Sequence, residues 1–286
     1  MIEKVIGIGD GGSQIAEHFK KYYDYSVLCV SEKGDIKIPK TKKVEELESK
    51  MFETKKKWSK TLKTFAADDK LLFIVNGAAR SAATSLVLME EVKENPKTVI
   101  FVKSDPNTIN GTAKLQQRAA LMVMQEFARS GLIEKMFIVD NMALEKISPE
   151  VNILNYYEQL NDLIVSTFHM INFCKDQRPV LNTTDDPVET ARIATFGAFN
   201  VENGEKKLFY SLDFPRETSY TYVLNDEALK EPARLMNIKD INTAANNTEP
   251  SNASSFVIYR SDLEHNYGYI VQYSTMIQEQ LIENQN

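Results

Sequence analysis

Six residues between an apolar run and a helix-forming stretch carry the first chemistry in this chain. Gly9, Asp10, Gly11, Gly12, Ser13 and Gln14 follow KVIGI and precede a stretch that reads as a helix to about Tyr23. Strand, glycine-rich turn and helix in that order bring backbone N–H groups and a helix N-terminus against a phosphate. The same layout also serves as a tight turn with no ligand. Gly7, Gly9 and Gly12 fit the GxGxxG spacing of a dinucleotide loop, with Glu32 as its acidic partner, although Ser13 breaks the pattern counted from Asp10. A hydride-transfer enzyme would also need a substrate site, and residues 180–286 offer only a lone His265 with no acid–base pair. His18, His169 and His265 match no metal-ligand spacing, so any Mg²⁺ would arrive with a nucleotide and be held mainly by its phosphates.

Further polar or small-residue turns follow other apolar runs. They are residues 31–35, 76–81, 104–111 and 140–141. The runs before them are short and continuous: Ser26–Ser31, Leu71–Val75, Thr98–Lys103 and Met136–Val139. Helical stretches separate them, at 44–65, up to Val92, and at 113–130. Buried strands alternating with helices predict a parallel sheet covered on both faces. Ligands of such sheets bind at the carboxyl ends of the strands, where all these turns fall, so the expected ligand is nucleotide-sized.

Ser148 to Phe173 predicts a long helix, with Leu154, Tyr157, Leu160, Ile164, Phe168 and Ile171 on one face. Ile153, Tyr156, Leu163 and Val165 widen that face until the helix should be buried all round, and Ser148 and Pro149 suit its start. Beyond it the texture becomes that of a smaller α+β unit. A short helix is expected over 187–194, strands at 196–201, 207–213, 219–224, 256–260 and 267–273, a helix at 231–244 and a polar loop at 245–255. The expected organisation is a nucleotide-binding domain over 1–147, a core helix over 148–175 and a second domain over 176–286, with a fraying C-terminal tail.

The totals narrow the function classes. The chain has 286 residues, 43% of them hydrophobic, which suffices for a sizeable core. No apolar run is long enough to cross a membrane, and the N-terminus lacks a signal-peptide layout. A net charge of −6 argues against general nucleic-acid binding. The lysine-rich runs at 37–43, 55–60 and 206–207 read as solvated faces. Cys29 and Cys174 lie in apolar runs and read as buried thiols, which suits a reducing cytoplasm.

Four segments resemble the tubulin/FtsZ superfamily over about residues 3–200. VIGIGDGGSQIA is similar to that family's first phosphate loop. IVDNMALEKI resembles the tubulin segment CIDNEALYDI, and YEQLNDLI from Tyr157 resembles YGDLNHLV. VLNTTDDPV from Val180 stands where the family carries its catalytic loop, of LNxDxxE or LDxxD form. The resemblance implies a Rossmann-like GTPase domain joined by a long central helix to a smaller α+β domain. It implies that Asn141 and Asn161 contact guanine, that Tyr157 stacks on it, and that Gly9 to Gln14 surround the phosphates of GTP or GDP. Tyr157 and Asn161 project from one face of a helix, and an aromatic ring with two amides suits a purine edge. The catalytic loop, through Asn182 and Asp185 or, one residue on, Asp186, would reach the nucleotide of the next subunit. Hydrolysis would then require head-to-tail assembly with further copies of the chain, a contact that does not close and so makes a filament. Asp185-Asp186-Pro187 also reads as the cap of a following helix. In length the chain is most similar to the small tubulins of large bacteriophages and plasmids, the PhuZ and TubZ types. These move DNA or particles in a bacterial cytoplasm.

The chain departs from that family at its phosphates. The signature GGGTGSG is replaced by Asn76-Gly77-Ala78-Ala79-Arg80-Ser81-Ala82-Ala83, with one glycine. A second glycine-rich loop expected over 35–45 is absent. Asp10 brings a carboxylate to the first loop, which repels phosphate unless a metal or Arg80 offsets it. Arg80 can contact a phosphate or fill its place. Two functions follow: a GTPase activated by polymerisation, or a non-hydrolysing structural or regulatory relative.

Overall fold

A computed structural model describes residues 1–30, 36–37, 65–148, 152–248 and 252–278. The helix expected over 44–65, the first two lysine runs, Glu32, Pro149 and the terminal tail lie outside these residues, apart from Lys37, Phe65 and the start of the tail.

The described strands form one twelve-stranded sheet. Its first part is β1 (Lys4–Ile8), β2 (Ser26–Val30), β3 (Ile36–Lys37), β4 (Leu71–Asn76), β5 (Lys97–Lys103) and β6 (Lys135–Asp140). Across the sheet the order is β3-β2-β1-β4-β5-β6, all parallel except the β3 edge. These are the continuous apolar runs, and both their faces are buried because helices cover both. Ile6, Ile8, Phe73, Val75 and Phe101 join one core with α2 (Ala82–Glu91) and α3 (Gly111–Arg129). Val5, Ile74, Ile100 and Val139 join the other with α1 (Gly9–His18), α4 (Asn141–Ile147) and α5 (Tyr156–Cys174).

The sheet continues into the rest of the chain through β8 (Ile193–Phe199), parallel to β6 at Met136↔Ile193 and Phe137↔Ala194. The short contact is reinforced by Thr195 Oγ1 donating to the Ile138 carbonyl at 3.0 Å and by the Asp140 N–H donating to the Phe209 carbonyl at 2.8 Å. Then come β12 (Tyr267–Ser274), β10 (Glu217–Leu224), β11 (Ala253–Arg260) and the edge strand β7 (Leu181–Asn182). β9 (Lys206–Leu208) pairs with β8, so the lysine pair 206–207 lies in a strand. Two helices, α6 (Asp226–Lys230) and α7 (Arg234–Thr248), complete this part, with a third apolar core between α7 and β10 and β11.

Besides the strand expected over 207–213, which covers only Lys206–Leu208, three elements depart most from expectation. The central helix has 19 residues and begins at Tyr156, not Ser148. Ser148 closes α4, its N–H donating to the Leu144 carbonyl at 3.0 Å. The capping role falls to Asn152, whose Oδ1 accepts from the Asn155 N–H at 3.0 Å and opens a 3₁₀ turn over Ile153–Asn155. From Leu160 onward most of the helix is buried, with Ser166 and Phe173 exposed, whereas Ile153 and Leu154 are each 94% exposed. The apolar period therefore runs on past the segment that is packed. Second, residues 187–194 form no helix; a turn leads straight into β8. Third, α7 runs through residues 245–248, into the stretch read as a loop, and β11 starts at Ala253.

Candidate functional site

The turn after β1 is built by three glycines. Gly9 has φ +70°, which admits few residues with a Cβ. Gly7 and Gly12 serve close approach. A Cβ on Gly12 would stand 2.4 Å from the Ile74 carbonyl oxygen, and one on Gly7 2.5 Å from the Gly12 oxygen. The GxGxxG spacing is thus explained by packing α1 onto β1 and β4. Ser13 is partly engaged, its Oγ donating to the Gly7 carbonyl at 3.3 Å, while Asp10 and Gln14 are exposed on the first turns of α1.

The second loop lies against the first. A Cβ on Gly11 would be 3.0 Å from Asn76 Nδ2. The Asn76 Oδ1 accepts from the Ala78 N–H at 3.0 Å and from Ser104 Oγ at 3.1 Å, so it joins the exits of β4 and β5. Gln117 holds Ser104 from α3 at both its N–H and its carbonyl, at 2.8 and 3.1 Å, and Gln116 Nε2 donates to the Ala79 carbonyl at 2.6 Å. Gly77 is required because a Cβ there would come within 2.3 Å of the Phe101 ring. Arg80 is exposed and forms no ion pair among the described residues, so it neither fills the loop nor offsets Asp10. Ser81 Oγ is buried and without a partner.

Helix starts differ in their caps. Asn110 caps α3, Asp140 caps α4 and Asn225 caps α6, each accepting from a first-turn N–H at 2.9–3.0 Å. The starts of α1, α2 and α5 have no side-chain cap. A cap is worth about 1 kcal/mol; in α2 its absence is partly offset, because the Ala82 and Thr84 N–H groups donate to the Ala79 and Ser81 carbonyls at 3.0 and 2.9 Å.

β6 ends in Asp140 and Asn141. Asp140 accepts from Lys103 Nζ at 2.9 Å, and that ammonium lies 5.8 Å from the centre of the Tyr210 ring. Burial, then the carboxylates of Asp213 and Asp140, push the Tyr210 hydroxyl up to about 12. Asn141 is 8% exposed and Asn161 is 7% exposed. Neither side-chain amide has a hydrogen-bond partner among the described residues, and neither holds an atom that is both fully buried and unpartnered, so each amide stays within reach of solvent or a ligand. Both belong to the same end of the sheet. α5 runs from Tyr156, bonded to Glu145 of α4 just after β6, to Asn172, bonded to Ile2 just before β1. Tyr157, on its first turn, is 60% exposed. One turn along, Asp162 ties α5 to α1, accepting from His18 Nδ1 at 2.5 Å and from Lys21.

Asn182, Asp185 and Asp186 lie beyond the far end of α5, all exposed. A helix of this length spans about 28 Å, so within one molecule they do not meet Tyr157 and Asn161. Asn182 sits in β7, its Oδ1 accepting from the Thr184 N–H at 2.8 Å and from Thr184 Oγ1 at 2.6 Å. No helix follows Asp185 and Asp186, so neither is a helix cap. Several residues bracing the site escaped sequence reasoning: Asn76, Gln116, Gln117, Glu145, Asp162 and the Lys103–Asp140 pair. Each has ordinary local signals, and only their partners on distant elements mark them.

At this amino end of the sheet Lys135 is half-buried. Its Nζ donates to the Ala191 carbonyl at 2.8 Å and lies 4.4 Å from the centre of the Tyr273 ring. Burial is the main cause that lowers it from 10.5 to about 8. Between these values the unfolded chain binds the extra proton, so Lys135 makes stability rise as pH increases through that window. Urea unfolding of wild type and Lys135→Met, compared from pH 7.5 to 9.5, should show the rise in wild type and a flatter profile in the variant. Parallel profiles would remove Lys135 as its source.

No protein-family model and no curated protein matches the sequence. Solved structures match its fold. The chain has the fold of the tubulin/FtsZ superfamily. A GTPγS-form protofilament of TubZ from Bacillus thuringiensis serovar israelensis superposes with a TM-score of 0.72 at 19% identity, covering 95% of this chain and 86% of that one. An empty FtsZ dimer from M. jannaschii gives 0.66 at 11% identity, covering 96% and 88%. A GTPγS-bound protofilament of CetZ2 from Haloferax volcanii gives 0.69 at 10% identity, covering 96% and 92%.

Proposed function

We propose that the protein is a tubulin/FtsZ-like cytoskeletal GTPase. It binds GTP and GDP, assembles head to tail into filaments, and hydrolyses GTP at the contact between subunits. The observation that carries this reading is the pair Asn141 and Asn161, buried residues whose amides have no protein partner among the described residues, at the same end of the sheet as the α1 and α2 starts, which lack side-chain caps. An amide that can both donate and accept suits the edge of guanine, and Tyr157 supplies an exposed flat face beside it. Open N–H groups at α1 and α2 suit phosphates and the Mg²⁺ they carry. The TubZ and CetZ2 matches are nucleotide-state protofilaments, which accords with this assignment.

The nucleotide supplies an electrophilic γ-phosphorus. In this reading α1 and α2 hold its phosphates, while the loop carrying Asn182, Asp185 and Asp186 on a neighbouring subunit orients a water toward it. The separation of that loop from the base site along α5 supports catalysis across a subunit contact. In a bacterial or phage-infected cytoplasm such a filament would position DNA or particles, without general nucleic-acid binding of its own. No helix among the described residues is long and apolar enough to cross a membrane.

A second reading is a filament or regulatory protein that binds nucleotide without hydrolysing it. It is favoured by Asn182, whose amide oxygen is already bonded to Thr184. GTP turnover measured against protein concentration, with pelleting, separates the two. Turnover per subunit that climbs steeply with concentration, and falls at least tenfold in Asp185→Asn/Asp186→Asn while pelleting persists, supports the GTPase. Pelleting with no turnover at any concentration supports the second reading.

A further inference from the structure

We propose that Glu145 and Tyr156 are positioning residues that hold the ring of Tyr157 for stacking. This rests on the assignment of Tyr157, Asn141 and Asn161 to the base site. Tyr156 and Tyr157 are neighbours at the first turn of α5, with ring centroids 4.9 Å apart and planes at 84°. That is an edge-to-face pair in which one ring sets the tilt of the other. Tyr156 is half-buried and packs against the core beneath α1, α4 and α5, whereas Tyr157 is 60% exposed and has no other ring contact among the described residues. Tyr156 is itself fixed, because its hydroxyl donates to a carboxylate oxygen of Glu145.

Glu145 lies on α4, one turn after Asn141, so the two project from the same side of that helix. The chain of contacts therefore runs from the helix that begins with Asn141, through Glu145 and Tyr156, to the helix that carries Tyr157 and Asn161. Burial, then the bond to Glu145, raises the Tyr156 hydroxyl well above the usual tyrosine range, so it stays a donor at every working pH. The charged group Asp105 adds to that rise, and no cation is among its causes.

The test uses the full chain and the fluorescent nucleotide mant-GDP. Tyr156→Phe and Glu145→Ala are each expected to raise the Kd five- to twentyfold, with the circular dichroism of the free protein unchanged. Glu145→Gln keeps an acceptor oxygen and is expected to stay within twofold of wild type. In a Tyr157→Ala background, Tyr156→Phe is expected to change the Kd by less than twofold, because its effect passes through the ring that has been removed. Full additivity in that cycle, or a Glu145→Gln loss as large as that of Glu145→Ala, overturns the positioning role. Unchanged affinity in Tyr157→Ala, or no mant-GDP binding by wild type, instead removes the base-site assignment on which the role rests.

Discussion

Tyr157→Ala weakens guanine-nucleotide binding by about 10- to 100-fold, the range expected when one base loses an aromatic stacking partner worth about 1–3 kcal/mol. Its folding is untouched, because the side chain is 60% exposed and belongs to no core cluster. Asn161→Leu gives the complementary result. In the free protein it replaces an amide without a protein partner with an apolar group of similar volume, so stability in urea changes by less than about 1 kcal/mol. Binding meanwhile loses a hydrogen-bonding group at the base edge, and affinity falls by about tenfold. Stability that holds while binding falls marks a residue kept for a ligand. The double variant binds no measurable GDP. Nucleotide titration and urea unfolding of the same preparations check both effects. Affinity that survives both substitutions would sink the base-site assignment, and a large loss of stability in Asn161→Leu would show that the amide is structural.

Gly12→Ala strongly destabilises the part of the protein built on β1 to β6. Helix propensity alone predicts the reverse, because Ala is better than Gly inside a helix by about 1 kcal/mol. Gly12 lies in α1 over the centre of the sheet, and a Cβ there would be 2.4 Å from the Ile74 carbonyl oxygen. That oxygen belongs to β4, which is paired on both sides by β1 and β5 and cannot retreat. The helix must lift instead, which pulls Ile15, Ala16 and Phe19 out of their core. Overpacking against backbone costs about 3 kcal/mol or more, enough to outweigh the propensity gain. The urea midpoint should fall sharply. A midpoint equal to or above that of wild type would mean that α1 does not sit this close to β4.

The alternation of apolar runs and helices was sufficient to name the sheet, because a strand buried on both faces must be apolar at every position. The strand bounds from Lys4 to Asp140 follow it closely, and the resemblance to the tubulin/FtsZ superfamily agrees with the fold. Legibility failed where local signals compete. Ser148-Pro149 has the chemistry of a helix start, yet Asn152 caps the turn and Tyr156 begins the helix. Asp185-Asp186-Pro187 reads as a cap, yet no helix follows it, because the chain must turn there to place Ile193 beside Met136.

The candidate site divides in the same way. By itself the chain determined which residue types stand at the strand ends: Gly9 to Gln14, residues 76–81, and Asn141, because position along a strand and the period of a helix are local properties. Tertiary structure decided which of them are engaged. It committed Gly12 and Gly77 to packing and left Arg80 in solvent. It buried Asn141 and Asn161 without partners, and bound Tyr156 to Glu145 across two helices. These are contacts between residues far apart along the chain or on separate elements. Whether a polar group is satisfied depends on what the fold brings within about 3 Å of it, and no spacing within one segment encodes that distance.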